Sequence, residues 1–87
     1  MDREELKKEL MQILEESVGE EFPELQESSS LLGDLKLDSV DLLSMTIEIQ
    51  SRYGIVIASS EVAGIATVGN VLDLIIAKTS VTRQQAA

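Results

Sequence analysis

The chain has 87 residues, a formal net charge of −9 and 44% hydrophobic residues, yet its only aromatics are Phe22 and Tyr53. It holds no cysteine and no histidine. That removes a disulfide framework, a thiolate nucleophile, the usual zinc ligands and the commonest general base near neutral pH. The acidity argues against nucleic-acid backbones and anionic membranes as partners, and for basic protein surfaces.

At this length the chain is one domain, whose core must be built from aliphatic side chains. Residues 1–27 carry ten acids against three bases, whereas residues 28–87 carry six against four. No apolar run approaches the roughly 20 residues that a membrane span needs. The start, Met1-Asp2-Arg3-Glu4-Glu5, lacks the apolar stretch of a signal peptide. A soluble, cytoplasmic, stand-alone monomer without membrane insertion is expected.

Leu6, Leu10, Ile13 and Leu14, with Met11 and Val18 beside them, fall at helical spacing and predict a first helix from Arg3 to about Val18. Asp2, Glu4 and Glu5 favour its positive end, and Gly19 is a natural stop. Residues 20–38 read as a long connection through Glu20-Glu21-Phe22-Pro23-Glu24 and Ser28-Ser29-Ser30. Its later half should be pinned to the core by Leu31, Leu32, Leu35 and Leu37. A second helix is predicted from about Ser39 to Arg52. Val40, Leu43 and Ile47 form one apolar stripe, and Leu42, Met45 and Ile49 another, so this helix should be central and buried from several sides.

Gly54 is placed to end the second helix. Ile55-Val56-Ile57 has no second strand to pair with and reads as an extended link on the core. Ser59 and Ser60 are expected to cap a short helical turn through Glu61-Val62-Ala63, kept short by Gly64. Thr67 should cap the last helix, where Val68, Val71, Leu72, Ile75 and Ile76 are periodic, with an end near Lys78. The expected fold is all-α, a small four-helix bundle with a short third helix and a long loop between the first two. Residues 1–78 form the domain and 79–87 a flexible tail.

The chemistry of the chain concentrates at Leu37-Asp38-Ser39-Val40-Asp41. Asp38 and Ser39 are both good N-cap residues. A helix starting there directs its unpaired amides and positive dipole end at whatever Ser39 carries, a geometry suited to a phosphate ester. From these residues alone, Ser39 is either a cap or a point of attachment. The spacing of Asp34, Asp38 and Asp41 does not match a calcium loop, and no metal site is expected.

With its surroundings the pattern resembles the acyl carrier protein family. Asp38-Ser39-Val40 opens a helix near mid-chain, as the Asp-Ser-Leu or Asp-Ser-Val hallmark of the family does. Tyr53-Gly54-Ile55-Val56-Ile57 resembles the family's aromatic-x-Ile-x-Ile link. Ile65-Ala66-Thr67-Val68-Gly69-Asn70-Val71 resembles the opening of its last helix. The likeness spans roughly residues 3–78.

The resemblance implies a covalent 4′-phosphopantetheine arm on Ser39, installed from coenzyme A by a phosphopantetheinyl transferase, with Asp38 and Val40 beside it. The arm's thiol, which the polypeptide itself lacks, would hold acyl groups as thioesters for acyl-loading and acyl-processing enzymes of fatty-acid, polyketide or related biosynthesis. The chain itself would catalyse nothing. Candidate partner contacts are Asp41, Leu42, Met45, Glu48 and Val62, with core packing a competing role for Met45. Leu43, Ile47, Ile57, Val62, Ala63 and Leu72 are candidates to shelter an acyl chain. The second helix is poorer in acids than is usual in the family, offering only Glu48 after Asp41, which implies a specialised carrier with weak electrostatic steering. Asn70 stands where an acid is usual. Two other readings are a carrier of an amino acid or other small acid, and an unmodified helical adaptor with Ser39 only as N-cap.

Overall fold

Four helices form, in the chain order that the apolar periodicity and the capping residues predict. A computed structural model describes residues 2–22 and 25–86, with side chains through residue 79. Pro23 and the side chains of the expected tail beyond Thr79 lie outside the described residues. The helices are α1 (Arg3–Val18), α2 (Ser39–Tyr53), α3 (Ser59–Ala63) and α4 (Val68–Ala86). Among the described residues no strand forms; Ser30 and Thr67 make one isolated antiparallel bridge.

The first helix is anchored at both ends by its sequence. Asp2 caps it by accepting from the Glu4 N–H, and Gly19 closes it at a φ of 83°, a left-handed conformation that glycine adopts without a β-carbon penalty. Its buried stripe is Leu6, Leu10, Ile13 and Leu14. Against that stripe packs one side of α2, through Met45, Thr46 and Ile49, and α4 completes the core with Val68, Val71, Leu72 and Ile75. Tyr53 ties the end of α2 to α1 by donating its hydroxyl to Glu9 at 2.6 Å. Burial and this bond to a carboxylate both raise the phenol above its ordinary range.

The second helix is not buried on several sides. Val40, Leu43 and Ile47 are 67%, 59% and 56% exposed, while Met45 is wholly buried. The two apolar stripes therefore have opposite fates, because α1 and α4 cover one side of the helix and no described element covers the other. The same separation occurs in the connection, where Leu31, Leu35 and Leu37 are buried but Leu32 faces solvent. Ile55 and Ile57 pack on the core and Val56 points out, as expected of an extended link. Gln50 holds that link by accepting from the Ile57 N–H at 3.0 Å.

Two further expectations change. Ser59 and Ser60 do not cap α3; they lie within it, and the N-cap position is Ala58. Alanine has no acceptor, so the cap is made from inside the helix, where Glu61 accepts from the Ala58 N–H at 2.9 Å. This bond and the Lys78 ammonium 2.9 Å away hold the Glu61 carboxyl below its ordinary value. The last helix runs past Lys78 to Ala86. No glycine or proline follows Lys78 to break it, and Thr79 returns its hydroxyl to the Ile75 carbonyl at 2.8 Å, as helical threonines do.

Candidate functional site

The long connection is fixed to the rest of the fold before it reaches Ser39. Arg3 forks between two elements. Its Nε donates to Glu27 Oε2 at 3.1 Å, a second guanidinium nitrogen donates to Glu27 Oε1, and a third reaches Asp73 Oδ1 on α4 at 2.8 Å. The Arg3 guanidinium holds the Glu27 carboxyl below its ordinary value. Leu31 N–H donates to the Ala66 carbonyl at 3.0 Å. Ser30 N–H donates to Asp34 Oδ2 at 2.7 Å, and Gly33 N–H to Ser30 Oγ at 3.0 Å, which folds the segment into a tight turn. Leu37 N–H then donates to the Leu31 carbonyl at 2.9 Å. The chain thus arrives at Asp38 on a rigid support.

There the start of α2 is closed by a reciprocal capping box. Asp38, in extended backbone, accepts from the Asp41 N–H at 2.8 Å, and the Asp41 carboxylate accepts from the Asp38 N–H at 3.3 Å. Ser39 is therefore not the cap. It is the first helical residue, it is exposed, and no described residue hydrogen-bonds its hydroxyl. The amides of Ser39 and Val40 likewise find no partner among the described residues. An uncommitted hydroxyl thus stands at the positive end of a 15-residue helix, beside two unpaired N–H donors.

The start of α4 shows what a merely structural helix start looks like here. Thr67 Oγ1 accepts from the Asn70 N–H at 3.2 Å, and the Asn70 amide oxygen accepts from the Thr67 and Ala66 N–H groups, each at 3.0 Å. Asn70 supplies what an acid would have supplied. The next two amides are also taken, Val68 N–H by the Ser29 carbonyl at 3.0 Å and Gly69 N–H by the Glu27 carbonyl at 2.8 Å.

The residues expected around Ser39 divide. Asp38 and Val40 flank it, Asp38 as cap and Val40 as an exposed side chain. Asp41 is half-buried with its carboxylate turned into the capping box. Leu42 and Val62 are partly buried against the core, and Glu48 is half-buried. Met45, for which both a partner contact and core packing were expected, belongs to the core: it is on the α1 side of the helix and has no exposed surface. The apolar surface beside Ser39 is instead Val40, Leu43 and Ile47. Sequence reasoning assigned Leu43 and Ile47 to an internal acyl shelter. The polar Ser44, Glu48 and Ser51 interleave with them at helical spacing, and that was the available signal for an outward face.

Of the six shelter candidates, Ile57 and Leu72 are buried, Leu43 and Ile47 are exposed, Val62 is half-buried and Ala63 is exposed. A shallow cleft of about 370 Å³ between α3 and α4 is lined by Ser60, Glu61, Gly64, Ile65, Asn70, Asp73 and Leu74. None of the six lines it. Among the described residues no group of three or more carboxylates gathers as a metal site, and no helix is long and apolar enough to cross a membrane.

Residues 8–75 match the family described as phosphopantetheine attachment site. An acyl carrier protein from Coprothermobacter proteolyticus is 35% identical over 75 residues, which cover 86% of this chain and 92% of that protein. One from Saccharopolyspora erythraea is 34% identical over 74 residues, 85% of this chain and 78% of the relative. The crystal structure of an acyl carrier protein from Thermotoga maritima superposes with a TM-score of 0.85, covering 92% of this chain and 93% of that one, at 22% identity, a likeness of fold. With an open serine at the head of its second helix, an acyl-carrier fold and relatives of this kind, the chain belongs to the acyl carrier protein family, whose members bear a covalent 4′-phosphopantetheine group.

Proposed function

We propose that Ser39 is the residue that takes the phosphopantetheine arm, and that the chain ferries acyl groups between enzymes of fatty-acid, polyketide or related biosynthesis. The observation that carries this reading is the uncommitted Ser39 hydroxyl. The cap that α2 needs comes from Asp38 and Asp41, so the serine is not spent on the fold. The residues present also fit the group. A phosphodiester on Ser39 lies at the helix end where free amides and the dipole favour negative charge, with no side chain to displace. When bound, the arm supplies the thiol that forms the thioester, a function this cysteine-free chain cannot provide.

In this reading Asp38 and Asp41 fix the serine's backbone for the transferase. Val40, Leu43 and Ile47 present an apolar docking face to partner enzymes beside it, since an exposed apolar stripe of this kind marks an interaction surface. The carrier is a cytoplasmic monomer that catalyses nothing by itself. The test is to incubate the protein with coenzyme A and a broad-specificity phosphopantetheinyl transferase and to take an intact mass. A gain of one phosphopantetheine that disappears in Ser39→Ala supports the reading. No gain, under conditions that load a control carrier, overturns it.

A further inference from the structure

Lys36 has the most unusual backbone among the described residues. Its φ is 56°, which makes it the one described residue other than glycine with positive φ. Glycine adopts this left-handed conformation freely, whereas a β-carbon is crowded there. The conformation is imposed from both sides: Leu35 N–H donates to the Ser30 carbonyl at 3.0 Å, Leu37 N–H to the Leu31 carbonyl at 2.9 Å, and both leucine side chains are buried. The backbone therefore asks for glycine at position 36, and the sequence places a lysine.

That lysine is exposed and forms no ion pair among the described residues, although Asp34, Asp38 and Asp41 are its neighbours in sequence. Those three carboxylates each accept a backbone N–H, from Ser30, Asp41 and Asp38 respectively. Lys36 is also the only base between Lys8 and Arg52. It lies three residues before Ser39, a Cα separation of at most about 11 Å, which a four-carbon ammonium stem and a phosphate on the serine can bridge.

We propose that Lys36 pairs its ammonium with the phosphodiester on Ser39, steadying the base of the arm against the start of α2. The inference rests on Ser39 as the attachment point. The phosphodiester is the one lasting anion that modification adds within reach of Lys36, whereas the three carboxylates are already engaged as acceptors within the fold. Lys36 would be a positioning residue: it acts on the arm's attachment end and leaves the acyl group untouched.

The test uses the full chain as wild type, Lys36→Gln, Lys36→Arg and Lys36→Gly, each before and after loading, with loading verified by intact mass. Gln keeps the crowded backbone and removes the charge; Gly removes both. The readouts are the melting temperature and the ³¹P resonance of the phosphodiester. At low salt, loading should raise the melting temperature of wild type and Lys36→Arg more than that of Lys36→Gln, by about 1–5 °C. The difference should close near 1 M salt, where the Debye length is about 3 Å. The ³¹P resonance should move with salt in wild type and stay still in Lys36→Gln. Lys36→Gly should melt higher than Lys36→Gln in the unloaded state, which verifies the backbone crowding. Equal loading effects and equal ³¹P behaviour in wild type and Lys36→Gln overturn the proposal. So does a Lys36→Gln variant whose only defect is transfer to a partner enzyme, since the lysine would then serve a partner's carboxylate. A wild-type chain that takes no phosphopantetheine fails earlier, at Ser39, and removes the ground for both readings.

Discussion

The second and fourth helices begin with the same local device and put it to different uses. Each opens with a reciprocal capping box, Asp38 with Asp41 in one and Thr67 with Asn70 in the other. On α4 the next two amides, of Val68 and Gly69, are spent on carbonyls of Ser29 and Glu27 in the crossover, the long connection from α1 to α2. On α2 the corresponding amides, of Ser39 and Val40, are left open, and so is the serine hydroxyl between them. One helix start is bonded into the fold and the other is left open. What distinguishes them is tertiary: the crossover passes over α4 and reaches α2 only as its own continuation.

The strongest test of this contrast concerns which side of α2 is inside. Met45→Ala should cost about 2–5 kcal/mol of stability in chemical denaturation, because it empties a wholly buried site. Ile47→Ala, half a turn away on the exposed stripe, should stay within about 0.5 kcal/mol. Comparable losses at the two positions would mean that the exposed stripe is covered.

The second helical position of each start offers a smaller contrast. A β-carbon on Gly69 would meet the Glu27 carbonyl oxygen at 3.2 Å, so Gly69→Val should crowd Glu27 and strain its bond to the residue 69 amide, at a cost of about 1–3 kcal/mol. Val40, its counterpart on α2, meets no such carbonyl and is 67% exposed. Val40→Ala should be close to neutral in the same assay.

Capping comes next in size. Asp38→Ala and Thr67→Ala should each lower stability by about 1 kcal/mol. Ser39→Ala should change it by less than about 0.5 kcal/mol while abolishing loading. A serine acting as cap would show the opposite pattern, costing stability and sparing any modification.

The mildest expectation concerns acid. Glu61 holds the start of α3 with a carboxylate whose pKa is lowered by the Ala58 N–H and by Lys78, whereas Asn70 performs the same task on α4 with an amide that does not titrate. A depressed carboxylate contributes stability that is complete above its ordinary value of 4.5 and fades as pH falls through the lower folded value. In an NMR pH titration, the Ala58 amide should lose its hydrogen-bonded shift only as pH falls below the ordinary value of the Glu61 carboxyl, while those of Thr67 and Asn70 hold. In Glu61→Gln the Ala58 response should disappear.

Much of this was legible in the chain. Helix starts and stops followed from Gly19, Gly54 and Thr67, because capping chemistry is local, and the Asp38-Ser39 junction pointed to the candidate site; Asp2, read as an acid of the first turn, is instead the N-cap of α1. What escaped was settled by distant partners. Which of two apolar stripes α2 buries depends on where α1 lies, and Leu31 and Leu32 differ in fate although they are adjacent and identical. The Arg3 fork joins residues 24 and 70 positions apart, beyond any local pattern. Whether Ser39 or Asp38 was the cap could not be decided from two good capping residues in a row; it took the Asp41 carboxylate, closing the box around Asp38, to release the serine. The left-handed turn at Lys36 was hidden for a related reason, since lysine gives no turn signal and the conformation is forced by the buried leucines on either side.

The contrast between the two helix starts is tested most directly by ¹H–¹⁵N spectra of the chain before and after loading with phosphopantetheine. The amides of Ser39 and Val40 should shift strongly as a phosphate takes its place beside them, while those of Val68 and Gly69, already bonded to the crossover, should not move. Unmoved Ser39 and Val40 signals in a chain whose mass shows the arm attached would place the modification elsewhere and contradict the account.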